Sequence, residues 1–188
     1  VLYACGMNGF DALNHAFSVV ATGGFSTKTA SIGYYDSVLL QWAMTGCMFM
    51  AGINYALFFY LYRTRSLRCF KDSLEFKVYL TVTLIAILLI TGNSLSYYGQ
   101  DVFTALRYAA FHVTSILTTT GFVCCDYELW LPGAKFVLIA LMLSGACAGS
   151  TTCGFKIDRH IILVKRMYYE TQRFLHPRMV RTVKANQK

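Results

Sequence analysis

Residues 38–62 contain no charged side chain, and residues 78–91 and 136–155 repeat the pattern. A helix needs about 20 apolar residues to cross the hydrocarbon core of a bilayer, and buried helices of soluble proteins are usually shorter. The first run is long enough to span with room to tilt. The second spans if Lys77 reaches one interface and residues 93–96 lie at the other. The third spans only if its small and polar middle is tolerated. Composition agrees, with 56% hydrophobic and 14% charged residues against about 25% charged in a soluble domain. These runs predict an all-α polytopic membrane protein.

The net charge of +8 does not point to nucleic acid, because it is not spread over one face. Fourteen of the 17 basic residues fall in residues 63–77 and 156–188. Positively charged connectors stay on the cytoplasmic side, so both segments are expected inside and the opposite connectors outside. The first residues lack the basic start of a cleavable signal, and the chain reads as a piece of something longer. Seven cysteines (Cys5, Cys47, Cys69, Cys124, Cys125, Cys147 and Cys153) form no CxxC pair. They read as small packing residues rather than a metal site or disulfide frame.

An internal repeat sets the architecture. An offset of 97 positions places His15 on His112, Ser18 on Ser115, Thr22 on Thr119, Gly24 on Gly121 and Phe25 on Phe122, and then Ala51–Gly52 on Ala148–Gly149. Each unit reads as a short outer helix (about residues 11–20 and 107–117), a Thr/Gly turn, a loop and a long inward helix. Helix, pore helix, filter loop and helix make the pore-forming unit of cation channels. Non-helical backbone at membrane depth survives only where protein covers it or where it lines a wet cavity. Carbonyls of Thr22, Gly23, Gly24, Thr119, Thr120 and Gly121 could therefore replace the water around a dehydrated cation. A glycine turn is also an ordinary helix C-cap, but two in register with matching flanks favour the filter. His15 and His112 read as braces of the short helices, and Ser18 and Ser115 as hydroxyls bonding backwards within them.

The third run has a second anomaly, Gly149, Ser150, Thr151, Thr152, Cys153 and Gly154, a cluster of poor helix formers. It reads as a flexible loop beneath the filter, able to gate the inner path. At the same place in the first copy, residues 48–59 are expected to stay helical, with Ala51 and Gly52 serving tight helix packing. All nine carboxylates lie outside the apolar runs, which leaves no paired carboxylates and no His/Asp set to activate a nucleophile inside the membrane and argues against an enzyme. The basic tail reads as a connector attracted to anionic lipid, broken at His176–Pro177.

The stretches NHAFSVVATGGFSTKTASIGYYDS, MFMAGINYALFFYLYR, FHVTSILTTTGF, CAGSTTCGFKI and FLHPRMV together resemble the TrkH/TrkG branch of the Trk/Ktr/HKT potassium-transport superfamily. In that family four pore-forming repeats in one polypeptide surround a potassium filter, and this chain is similar to the second and third. The resemblance implies that residues 1–75 form the second repeat and its connector, 76–166 the third, and 167–188 a connector to the fourth. It further implies potassium as the transported ion and no cofactor. Gly24 and Gly121 are the filter glycines, and residues 149–154 are the gate loop. A cytoplasmic nucleotide-binding TrkA-type regulator, a homodimer and a bacterial inner-membrane location also follow from it. The family loop usually reads close to GSTGGGIK, whereas Thr152 and Cys153 stand here where glycines are usual. Sodium permeation or coupling, and a non-conducting sensor or scaffold, remain as alternatives.

Overall fold

The computed structural model describes residues 1–95 and 97–175, with the side chains of 174 and 175 excepted. The expected break at His176–Pro177 and the end of the basic connector lie outside the described residues. Among the described residues eight α-helices follow one another: α1 (Gly9–Val20), α2 (Val38–Ala51), α3 (Tyr55–Thr64), α4 (Arg68–Asp72), α5 (Leu74–Ser94), α6 (Val102–Leu117), α7 (Pro132–Leu143) and α8 (Ile157–Leu175). No strand occurs among the described residues; one parallel bridge joins Ser144 to Phe155.

Helix starts follow local chemistry. Side-chain oxygens of Asn8, Ser37, Asn54, Ser73 and Asp101 accept the first free N–H groups of α1, α2, α3, α5 and α6, and α7 begins at a proline that has no N–H to satisfy. Helix α5, at 21 residues with a mean hydropathy of 1.9, is about 31 Å long and can cross a bilayer unaided. Its Leu84, Ile85, Leu88 and Leu89 are exposed, while Tyr79, Thr83, Ala86 and Ile90 turn inward against α6 and α7.

The other two apolar runs are not single spans. Residues 38–62 divide into α2 and α3, which meet at 90°, so the expectation that residues 48–59 stay helical is corrected. The cause is tertiary. Gly52 ends α2, and its carbonyl accepts the Cys147 N–H at 3.1 Å. Asn54 then caps α3 through Ala56 N at 2.9 Å. The packing expected of Gly52 is present as well, since a Cβ there would meet the Tyr79 hydroxyl and Thr118 Cγ2. In the third run the chain leaves the helix at Ser144, earlier than the expected break, and resumes at Ile157.

Two cores match the two copies. One gathers Tyr79, Ala86, Ile90, Ala109, Val113, Leu117, Trp130 and Leu138. The other gathers Val19, Ile32, Leu40, Met44 and Met48, with Phe111 and Phe122 from the second copy. Because Phe111 and Phe122 are shared in this way, the two repeats pack as one body.

Candidate functional site

Both short helices end in the same hydrogen-bonded turn. In the first copy Thr22 N donates to Val19 O (3.0 Å) and Gly23 N to Ser18 O (2.8 Å); in the second, Thr119 N donates to Ile116 O (2.9 Å) and Thr120 N to Ser115 O (2.9 Å). This pattern is a Schellman cap, in which the residue after the helix adopts left-handed backbone. Here that residue is threonine twice, at φ 50° and 54°, followed two positions later by Gly24 at 69° and Gly121 at 85°. A β-branched residue in this region carries about 1–2 kcal/mol of strain, and such strain concentrates at functional sites. The helix cap and the proposed filter turn are therefore one structure.

The turns meet each other. A Cβ on Gly24 would run into the Thr120 carbonyl oxygen, whereas one on Gly121 would meet nothing within 4 Å. Phe122, just past the second turn, stacks on the buried His15 ring at a centroid distance of 5.7 Å. Around the turns the carbonyls of Ser18, Val19, Ser115, Ile116, Phe122 and Val123 all accept hydrogen bonds. Among the described residues no donor reaches the carbonyls of Thr22, Gly23, Gly24, Thr119, Thr120 or Gly121. These six acceptors are the groups that the sequence singled out.

Residues 149–154 lie directly against both turns. The Thr22 Oγ1 proton is shared between Ala21 O at 2.8 Å and Thr151 O at 3.1 Å, and Thr119 Oγ1 accepts the Cys153 N–H at 2.9 Å. Thr151 Oγ1 donates to Val20 O at 3.0 Å. Within the loop the Ser150 and Thr152 hydroxyls lie 2.7 Å apart and the Lys156 ammonium donates to Ser150 O at 3.1 Å. Gly149 and Gly154 have φ of 73° and 85°, so both need the freedom of glycine. The loop is anchored below by the Glu75 carboxylate, which accepts from Ala148 N and from Asn54 Nδ2. Tyr55 N donates to Gly149 O at 3.2 Å, so the break in the first copy and the loop of the second hold each other.

The histidines carry different loads. A carbonyl only accepts, so His15 Nδ1 donates to Asp11 O at 2.7 Å, leaving Nε2 to accept from the Ser26 hydroxyl at 2.9 Å; this is the brace expected. His112 Nδ1 lies 2.9 Å from Tyr108 O, but its Nε2 is buried without a partner among the described residues, since Val123 replaces Ser26 at the repeat-equivalent position. Ser115 departs from expectation, since its hydroxyl donates forward to Phe122 O at 2.7 Å; buried Ser18 Oγ has no partner among the described residues. Cys124 and Cys125 also depart from it. With His112 they form a cluster whose ligand atoms lie within 4.8 Å of one another, a convergence that the spacing of the cysteines did not reveal.

At the start of α1, outside the spanning helix α5, Asp11 ties the first loop down. Its carboxylate accepts from Thr27 Oγ1 at 2.6 Å and Tyr35 OH at 2.8 Å, with Lys28 Nζ at 3.6 Å. The Thr27 and Tyr35 hydrogen bonds hold its pKa below the ordinary carboxylate value. Burial, and then the bond to Asp11, push the Tyr35 phenol up to about 12.

A family model for TrkH, described as a cation transport protein, matches residues 2–188. The Trk system potassium uptake protein TrkH of Halomonas elongata is 38% identical over 182 residues, covering 96% of this chain and 38% of that protein. The TrkH protein of Escherichia coli is 35% identical over 185 residues, covering 97% and 38%. The crystal structure of the potassium transporter TrkH from Vibrio parahaemolyticus superposes with a TM-score of 0.89 at 30% identity, over 97% of this chain and 40% of that one. The chain thus spans well under half the length of these relatives. The family model and the superposition both extend over nearly the whole chain, and the chain belongs to the TrkH family of cation transport proteins.

Proposed function

We propose that this chain supplies two of the four filter segments of a potassium uptake protein. Residues 1–75 and 76–166 act as successive pore-forming repeats, and 167–188 as the connector beyond them. The observation that carries the reading is the set of six donor-free carbonyls on two apposed turns, at Thr22, Gly23, Gly24, Thr119, Thr120 and Gly121. Carbonyl rings replace the hydration shell of an alkali cation, and the orphaned acceptors would otherwise be costly in a membrane. Relatives named as potassium uptake proteins favour potassium over sodium, as does glycine at both visible positions. Uptake follows the membrane potential, about 2.3 kcal/mol per charge per 100 mV. The reaction is transport without a chemical step.

In the same reading residues 149–154 form the gate, latched to the filter from the cytoplasmic side. Residues 63–77 and 156–188 face the cytoplasm of a bacterial inner membrane, where a TrkA-type nucleotide-binding regulator docks on a homodimer. The test is rubidium uptake by the full-length protein in cells lacking their own potassium uptake, with sodium as competitor. Replacing Gly24 or Gly121 by a bulky residue should abolish uptake or its selectivity; survival of both overturns the filter assignment.

A further inference from the structure

The cluster of His112, Cys124 and Cys125 serves neither the filter carbonyls nor the gate. We propose that it is a binding site for a thiophilic closed-shell cation, Zn²⁺ being the natural fit, set in the outer vestibule behind the second filter turn.

The geometry is close to that of a metal site. The Cys124 and Cys125 sulfurs lie 3.8 Å and 4.0 Å from His112 Nδ1. Tetrahedral zinc with Zn–S of about 2.3 Å and Zn–N of about 2.0–2.1 Å places sulfur and nitrogen about 3.6 Å apart, so shifts of a few tenths of an ångström suffice. Two thiolates and one imidazole suit zinc, and their charge balances a divalent ion. The Tyr98 hydroxyl, 3.5 Å from Cys125 Sγ and receiving Trp130 Nε1–H at 3.0 Å, or a water, takes the fourth position.

His112 can change roles at low cost. Its Nδ1 bonds Tyr108 O, a helix carbonyl that also receives its i+4 N–H, so releasing it orphans no acceptor. The proton then sits on Nε2, which has no hydrogen-bond partner among the described residues but whose ring meets Trp130 and Tyr127 edge-on at centroid distances of 5.2 Å and 5.4 Å. His15 has no such freedom, because Ser26 already occupies its Nε2. A route in exists as well. An open pocket of about 520 Å³ is lined by Gly33, Cys124, Cys125, Asp126 and Glu128, which places two carboxylates where a cation would enter.

The test uses the purified full-length protein, reduced and stripped with a chelator, then titrated with Co²⁺. The expected result is a thiolate-to-cobalt charge-transfer band saturating at one equivalent per chain and bleached by Zn²⁺. Cys125→Ser should weaken Zn²⁺ by more than the ~10–100-fold that losing an outer-shell partner costs, and Cys124→Ser likewise. Cys47→Ser and Cys153→Ser should leave the band unchanged. A thermal unfolding series separates lost binding from lost fold: metal-free Cys125→Ser should melt with the metal-free parent, and only the parent should gain Tm with Zn²⁺. A parent without the band, or a band that survives both cysteine substitutions, overturns the site. The readouts do not involve ion flux, so their outcome is independent of the potassium reading.

Discussion

The Thr22 hydroxyl donates to the carbonyl of Thr151, 129 positions away, at 3.1 Å. A side chain on the strained turn of the first repeat is thus bonded to the broken segment of the second. The second repeat supplies the matching contact, Cys153 N–H to Thr119 Oγ1 at 2.9 Å. Repeat-equivalent threonines therefore hold the loop at two points, so releasing the loop from the turns breaks both hydrogen bonds.

Thr119→Val removes the acceptor for Cys153 N–H while keeping β-branching, and with it the backbone strain at φ 54°. A net hydrogen bond is worth about 1 kcal/mol, so the loop-released population should rise about fivefold. Single-channel or liposome flux recordings of the full-length protein should show a raised open fraction with selectivity unchanged. An unchanged open fraction would detach the loop from gating.

Gly24→Ala should abolish rubidium uptake by the full-length protein. A methyl group there collides with the Thr120 carbonyl, a backbone atom of the second turn that cannot step aside, and φ 69° opposes any side chain as well. Uptake at the parent rate would contradict this geometry.

Much of this was legible in the sequence because it is local or repeated. The 97-residue offset located both turns, since glycine and threonine sit where the caps require them. The bend at Gly52 was not legible: its neighbours are apolar helix formers, and what breaks the helix is Cys147 N–H reaching the Gly52 carbonyl from another part of the chain. For the same reason the departure at Ser144 is not encoded locally, because it depends on pairing with Phe155. Cys124 and Cys125 meet His112 only because the intervening turn reverses the chain, which spacing alone does not encode.

Asp11 should give the fold an acid limb. Its folded-state pKa is depressed, so its contribution is present above the ordinary value of about 3.9 and is lost as pH falls through the lower folded value. Thermal unfolding in detergent between neutral pH and pH 3 should show Tm falling at the acid end. Asp11→Asn should begin with a lower Tm at neutral pH and show a shallower acid fall, and Tyr35→Phe should lie between. Parallel curves for parent and Asp11→Asn would remove Asp11 from the loop's support.

Glu75→Ala should loosen residues 149–154 without disturbing the two Thr/Gly turns. The carboxylate holds Ala148 N and Asn54 Nδ2 together, and through Asn54 it joins the start of α3 to the loop. Hydrogen bonds to a charged group are worth about 1.5–3 kcal/mol. Amide exchange at Ala148 should therefore accelerate by more than tenfold, while Thr120 and Gly121, whose N–H groups are held by Ser115 O, should keep their protection. Glu75→Gln retains one acceptor oxygen and should fall between. If both regions lost protection together, the loop and filter would unfold as one unit, and a gate that moves beneath a standing filter would not be possible.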